Sequence, residues 1–153
     1  EIEKWNFVMS MVIAGGSSPC IVLELADTDS ENGTSRYVVY GYDDRVNESE
    51  ILTAINRKHM ETGNNETDFS HIKGIILYDM SDEEQEKIIA EFKRNNEISG
   101  NVSVYKATSE TYPDLLSDIT DSEKSENLRL GTMLENMVKN MDKYSGNVLY
   151  KMK

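Results

Sequence analysis

The sequence predicts an α/β (α+β) fold, with a single domain over residues 1–153 built on a mixed five-stranded sheet. The expected element order is β-β-β-α-β-α-β-α, with an antiparallel meander first and helices packed on the sheet. Three observations carry this expectation. The first third of the chain alternates apolar and polar residues and is punctuated by Gly15-Gly16 and Asn32-Gly33, a pattern of strands joined by hairpin turns. Ile72 to Tyr78 is instead an almost unbroken apolar run, as expected of a strand covered on both faces. Just beyond it, Ser81 and Glu84 have the spacing of a capping box, so a helix starts close to where that strand ends.

Taken in order, Trp5 to Ala14 places Trp5, Phe7, Met9, Met11 and Ile13 on one face and Asn6, Val8, Ser10 and Val12 on the other, a half-buried strand. Gly15 to Pro19 breaks the alternation, and Cys20 to Ala26 resumes it with Ile21, Leu23 and Leu25 on one side. Asp27 to Ser35 reads as a polar turn and Tyr37 to Tyr42 as the third strand. Asn47 and Glu50 repeat the capping-box spacing ahead of an apolar stripe, Ile51, Leu52 and Ile55, which continues toward His59 and stops at Gly63-Asn64. The helix opened by Ser81 has Asp82, Glu83 and Glu84 to complement its dipole and rests on Ile88, Ile89 and Phe92. Asn101 to Ala107 alternates around Val102 and Val104 as a fifth strand, and Pro113 opens a short helix through Leu115, Leu116 and Ile119.

Residues 120–127 form a charged linker, followed by the clearest amphipathic helix in the chain, in which Leu130, Met133, Leu134, Met137, Val138, Met141 and Tyr144 recur at helical steps. Asn147 to Met152 reads as a last short strand or a tail. Helical crossovers between the later strands imply parallel pairing there. The same order of elements occurs in ribonuclease-H-like folds, an analogy of architecture that does not extend to chemistry.

Composition narrows the function. At 38% hydrophobic and 29% charged the chain reads as a soluble globular protein. Its longest apolar run falls well short of the ~20 residues of a membrane span. The net charge of −12 opposes direct nucleic-acid binding, which draws its affinity from clustered Lys and Arg. It leaves room for a basic partner, for an acidic inhibitor that mimics nucleic acid, or for solubility alone. The lone Cys20 cannot form an internal disulfide, which favours an intracellular setting, cytoplasmic or nuclear. Asn-x-Ser/Thr sites at Asn32, Asn47, Asn65 and Asn101 are expected by chance in a chain this rich in those residues. A start at Glu1, without methionine or a signal-like segment, fits a processed piece of something longer.

Asp79 is expected at the carboxyl end of its strand, where open α/β sheets place ligands, and with Asp82 and Glu83, joined by Asp43 and Asp44 after the third strand, it could hold Mg²⁺. A Mg²⁺-dependent nuclease or phosphoryl-transfer enzyme is therefore one alternative. Against it, the first strand offers only Asn6 and Ser10 where a ribonuclease-H-like nuclease needs a carboxylate, and Glu24 has Ala26, not lysine, two residues on. Asp27, Asp29 and Glu31 resemble a calcium loop, but Asn32 and Val38 stand where an EF-hand needs glycine and glutamate. Gly15-Gly16-Ser17-Ser18 leads into a strand, whereas phosphate-cradling loops lead into a helix. Cys20, His59 and His71 are the candidates for nucleophilic catalysis, and neither histidine has an evident acidic orienter. Met133, Met137 and Met141 form an adaptable stripe suited to a protein partner. The leading expectation is a non-enzymatic domain acting through protein-protein contacts, a subunit or adaptor of a complex, with no cofactor. Mg²⁺ enters only with the enzyme alternative.

Overall fold

A strand that is apolar on both faces needs cover on both sides, and this sheet keeps such strands inside. The computed structural model describes residues 6–16, 19–26, 34–41, 50–95, 98, 102–110, 113–115, 117, 128–129 and 147–151. The elements are β1 (Asn6–Ala14), β2 (Cys20–Ala26), β3 (Thr34–Gly41), α1 (Ile51–Glu61), β4 (Thr67–Asp68), β5 (Gly74–Tyr78), α2 (Asp82–Arg94), β6 (Ser103–Ala107), β7 (Leu128–Arg129) and β8 (Asn147–Lys151). They make one mixed eight-stranded sheet in the order β7-β3-β2-β1-β5-β6-β8, with β4 beside β1 off that path. The meander β1-β2-β3 is antiparallel, and β5 pairs parallel with both β1 and β6, as the helical crossovers require.

The five expected strands are all present, and the structure adds to them. β8 runs antiparallel to β6, so the segment from Asn147 is a strand. β4 and β7 are two-residue pairings, on β1 and β3 respectively, too short to leave any periodicity in the sequence. Residues 120–127, the Met133, Met137 and Met141 stripe, and Asp43 and Asp44 lie outside the described residues.

β1 departs from its expected half-buried character. It sits between β2 and β5, and Ser10 through Ala14 are buried on both faces. Its alternation is also broken: Val8 pairs with Leu25 but Ser10 pairs with Glu24, so Met9 is the extra residue of a bulge. Val8 thereby joins Met11 and Ile13 in the main core, together with Leu23, Ile75, Leu77 and the buried stripes of both helices, Ile51, Leu52 and Ile55 from α1 and Ile88 and Phe92 from α2. The opposite face of the sheet carries a second cluster of Val12, Ala14, Val22, Ile76, Tyr78, Ala107 and Leu115. Leu115 and Ser117 are the described helical residues of the short helix expected after Pro113.

The two helices begin differently. α1 starts at Ile51 with Glu50 as N-cap and no side-chain cap bond, and Asn47, expected as its cap, lies outside the described residues. Its end is as expected, with Gly63 at a φ of +87° and its N–H donating to Met60 O. α2 carries the full reciprocal box: Glu84 N–H donates to Ser81 Oγ at 3.2 Å, and Ser81 N–H donates to Glu84 Oε1 at 3.1 Å. Ser81→Ala should therefore lower stability by about 1 kcal/mol in urea denaturation, and Ser81→Asp should retain most of it. An unchanged midpoint for the alanine variant would mean that this box does not hold the start of α2.

Candidate functional site

Because β1, β5 and β6 are parallel, their carboxyl ends converge on one rim of the sheet, the usual position for a site in an α/β fold. Gly15 N–H donates to Tyr78 O at 2.8 Å and Asp79 N–H donates to Ala107 O at 3.0 Å, which extends both ladders past the strand ends. Asp79 itself is in the left-handed region, φ 52°, and its Oδ1 accepts the Ser109 N–H at 2.7 Å. Aspartate tolerates that conformation because its short side chain can bond locally. The approach is close: a Cβ at Gly15 would lie 3.0 Å from Asp79 O, so a larger residue there would need the backbone at Asp79 to give way.

Beyond this, the rim offers few chemical groups. Burial, followed by the charges of Asp79 and Asp114, raises the Tyr78 hydroxyl above its ordinary pKa, which marks these acids as the two that act on it. β1 contributes Ala14, Gly15 and Gly16 beside Asp79, so no first-strand carboxylate faces it. Among the described residues no group of three or more His, Cys, Asp or Glu side chains comes together to hold a metal ion. Asp82 is an exposed acid in the first turn of α2, and Glu83 pairs with Lys87 at 3.4 Å. In this geometry the Asp79 carboxylate fastens the loop after β6 to the end of β5.

The structure also assembles two polar groups that the sequence analysis left separate. Ser10 Oγ donates to Glu24 Oε1 at 2.8 Å, and both residues are fully buried on the face that carries Val12 and Val22. Tyr37, opposite Glu24 on β3, is raised far above its ordinary pKa by burial and then by the Glu24 charge. Placed between Leu23 and Leu25, Glu24 reads in sequence as the solvent side of a strand; only burial of both faces brings it inside. In the main core, the Tyr40 hydroxyl lies 2.5 Å from His59 Nδ1, with the rings edge to face at 5.7 Å. His59 Nε2 is buried with no hydrogen-bond partner among the described residues. Burial, then the nearby Arg36 charge, lowers its pKa from 6.5 to about 4, so the ring is neutral at pH 7.

No cysteine-histidine pair forms. Cys20 packs against the second cluster while His59 lies in the main-core layer, and burial raises the thiol pKa, contrary to what a nucleophile needs. His71 is an exposed turn residue, its Nδ1 3.1 Å from Ser70 Oγ and its ring edge-on to Phe7. Ser70 Oγ donates to Asp68 Oδ1, a turn-closing bond that turns its proton away from the imidazole. A cleft of about 180 Å³ between α1 and β4, where Asn56 Oδ1 accepts from Thr67 N–H at 2.8 Å, is smaller than the roughly 300 Å³ at which small-molecule sites begin. Among the described residues no helix is long and apolar enough to cross a membrane. No protein-family model matches the chain, and no curated protein matches its sequence.

Two measurements check these roles. Asp79→Ala loses the acceptor for Ser109 N–H and should cost about 1 to 3 kcal/mol, while Asp79→Asn, which keeps an acceptor and tolerates positive φ, should cost less. Millimolar Mg²⁺ should leave the melting temperature of the unsubstituted chain unchanged; a saturable rise abolished by Asp79→Asn would instead identify a metal ligand. For His59, the folded pKa lies below the unfolded one, so the unfolded chain binds more protons between pH 6.5 and about 4. Its contribution to stability is complete above pH 6.5 and falls as pH drops toward 4, by at most ~1.4 kcal/mol per unit. NMR titration of the His59 ring should show no protonation above pH 5; a midpoint near 6.5 would mean that the ring meets water.

Proposed function

We propose that the chain works through protein contacts, as a subunit or adaptor of an assembly inside the cell, and carries out no catalysis of its own. The observation that carries this reading is the outer edge of β3. β2 pairs with β3 along its whole length, from Ala26 opposite Ser35 to Cys20 opposite Gly41, but β7 covers the other edge only at Thr34 and Ser35. From Arg36 to Gly41 that edge carries no strand among the described residues. Val39 stands 48% exposed, and a Cβ built at Gly41 would meet nothing within 4 Å. A strand edge with no neighbour among the described residues is a template for a further strand, from this chain or another.

Two further features support the reading. The groups that chemistry would draw on are engaged by the fold: Asp79 by Ser109, Glu24 by Ser10, and His59 by Tyr40. The unpaired, half-buried Cys20 suits a reducing compartment. Met133, Met137 and Met141 are retained as a second contact surface. Cross-linking of the tagged chain in its source cell, followed by mass spectrometry, should place links to other protein chains at residues 36–41 or 130–144. Links confined to the chain itself, with a single-chain mass after native purification, would overturn the reading.

A further inference from the structure

We infer that the cleft between α1 and β4 receives one arginine side chain of a basic partner protein, and that an apolar residue beside that arginine settles on Met60. The inference rests on the protein-contact reading and names a surface and the chemistry of what binds there. A hollow of about 180 Å³ is too small for a metabolite, yet it has room for about six waters by liquid volume, close to the bulk of one long side chain. Its walls suit a cation. Glu66 lines it, is exposed, and has no hydrogen bond or ion pair with any described residue. Asn95, the C-cap of α2, brings the negative end of that helix dipole to the same place, and no basic residue is among the described residues of the lining. Phe69 adds an aromatic wall, and the guanidinium is the cation that both forks onto a carboxylate and stacks on a ring.

A second, open hollow of about 480 Å³ shares Thr53 and Asn56 with the cleft and is lined further by Arg57, Met60 and Glu61. Met60 stands 45% exposed, a flexible and polarizable side chain of the kind that adapts to an apolar neighbour. The divider between the two hollows is held in place: Asn56 Oδ1 accepts the Thr67 N–H at 2.8 Å and the Thr67 hydroxyl at 2.9 Å, and Asn56 Nδ2 lies 3.6 Å from Met60 Sδ. Arg57 opposes a cation on the Met60 side, so the arginine goes to Glu66 and the apolar group to Met60. Thr53, Asn56 and Met60 advance along α1 by about one turn each, which sets the two groups on the partner about 5 to 6 Å apart, as residues four apart on a helix are. The net charge of −12 draws a basic protein in, and it opposes an acidic one or a second copy of this chain.

The probe is a capped, alanine-based helical peptide with Arg and Leu four residues apart, titrated to millimolar concentration into the isotope-labelled chain. NMR should show saturable shifts at Thr53, Asn56, Met60, Glu66 and Asn95 that added salt weakens. Glu66→Gln should weaken binding by about tenfold, Met60→Gln should weaken it as well, and both variants should keep the melting temperature, since both side chains are exposed. A peptide with Glu in place of Arg should not bind, and one with Lys should bind more weakly. Absence of saturable shifts at the cleft, equal binding of the Lys or Glu peptide, or indifference to Glu66→Gln would overturn the inference. A dimer of the chain alone that Met60→Gln dissolves would give this face to a second copy and overturn it too. If the peptide leaves the cleft untouched while cross-links in the cell still reach other proteins at residues 36–41 or 130–144, the inference fails and the contact reading stands.

Discussion

The parallel pairing of β1 with β5 is the constraint on which the rest of the described fold depends. β1 meets β2 on one edge and β5 on the other, so its backbone groups are satisfied from both sides while both its faces are buried. That position joins the antiparallel meander to the parallel half of the sheet. It also decides what lies at the rim, because Gly15 follows β1 directly and donates to Tyr78 O, the last residue of β5. The turn that closes the first hairpin is thus part of the same surface as Asp79. A side chain at residue 15 would press on Asp79 O, so the glycine there follows from the strand pairing and not from any phosphate-binding role.

The parts of this fold that could be read from sequence are those governed by local chemistry. Ser81 and Glu84 announce a capping box, and the box is present with both of its bonds. Ile21, Leu23 and Leu25 announce one face of β2, and all three lie in the main core. The parts that escaped are set by partners distant in sequence. Nothing near Met9 signals a bulge, which arises where Val8 and Ser10 must both register on β2. Nothing near Glu24 signals burial, which follows from cover on the second face of the sheet. His59 is intermediate: its place on the stripe of Ile51, Leu52 and Ile55 shows that it points inward, but its partner Tyr40 sits on a strand that only the folded sheet brings near. For the rim, the position of Asp79 was legible and its employment was not, since Ser109 lies a whole helix and strand further on.

Buried polar groups in this core act on specificity more than on stability. A carboxylate within an apolar layer is costly unless bonded, and Glu24 has Ser10 to meet that demand only when β1 and β2 pair as they do. A slip of one residue would turn Ser10 to the opposite face and remove this bond from Glu24. The Tyr40–His59 contact does the same for α1 on β3, since a rotation or slide of the helix breaks it and leaves His59 Nδ1 without this partner. Neither pair needs a catalytic task to account for its presence. Among the described residues the uncompensated atom is His59 Nε2, and its cost is contained by keeping the ring neutral.

The two sides of the sheet treat their edges unequally. On the β6 side, β8 runs alongside from Lys106 to Ser103. On the β3 side, the described residues of β7 lie along Thr34 and Ser35. An open, apolar edge ordinarily invites indiscriminate pairing, and natural proteins blunt it with lysine, proline or a bulge. None of these interrupts Tyr37 to Gly41. The safeguard available to this chain is global: a net charge of −12 repels copies of itself at separations comparable to the Debye length, about 8 Å at physiological salt.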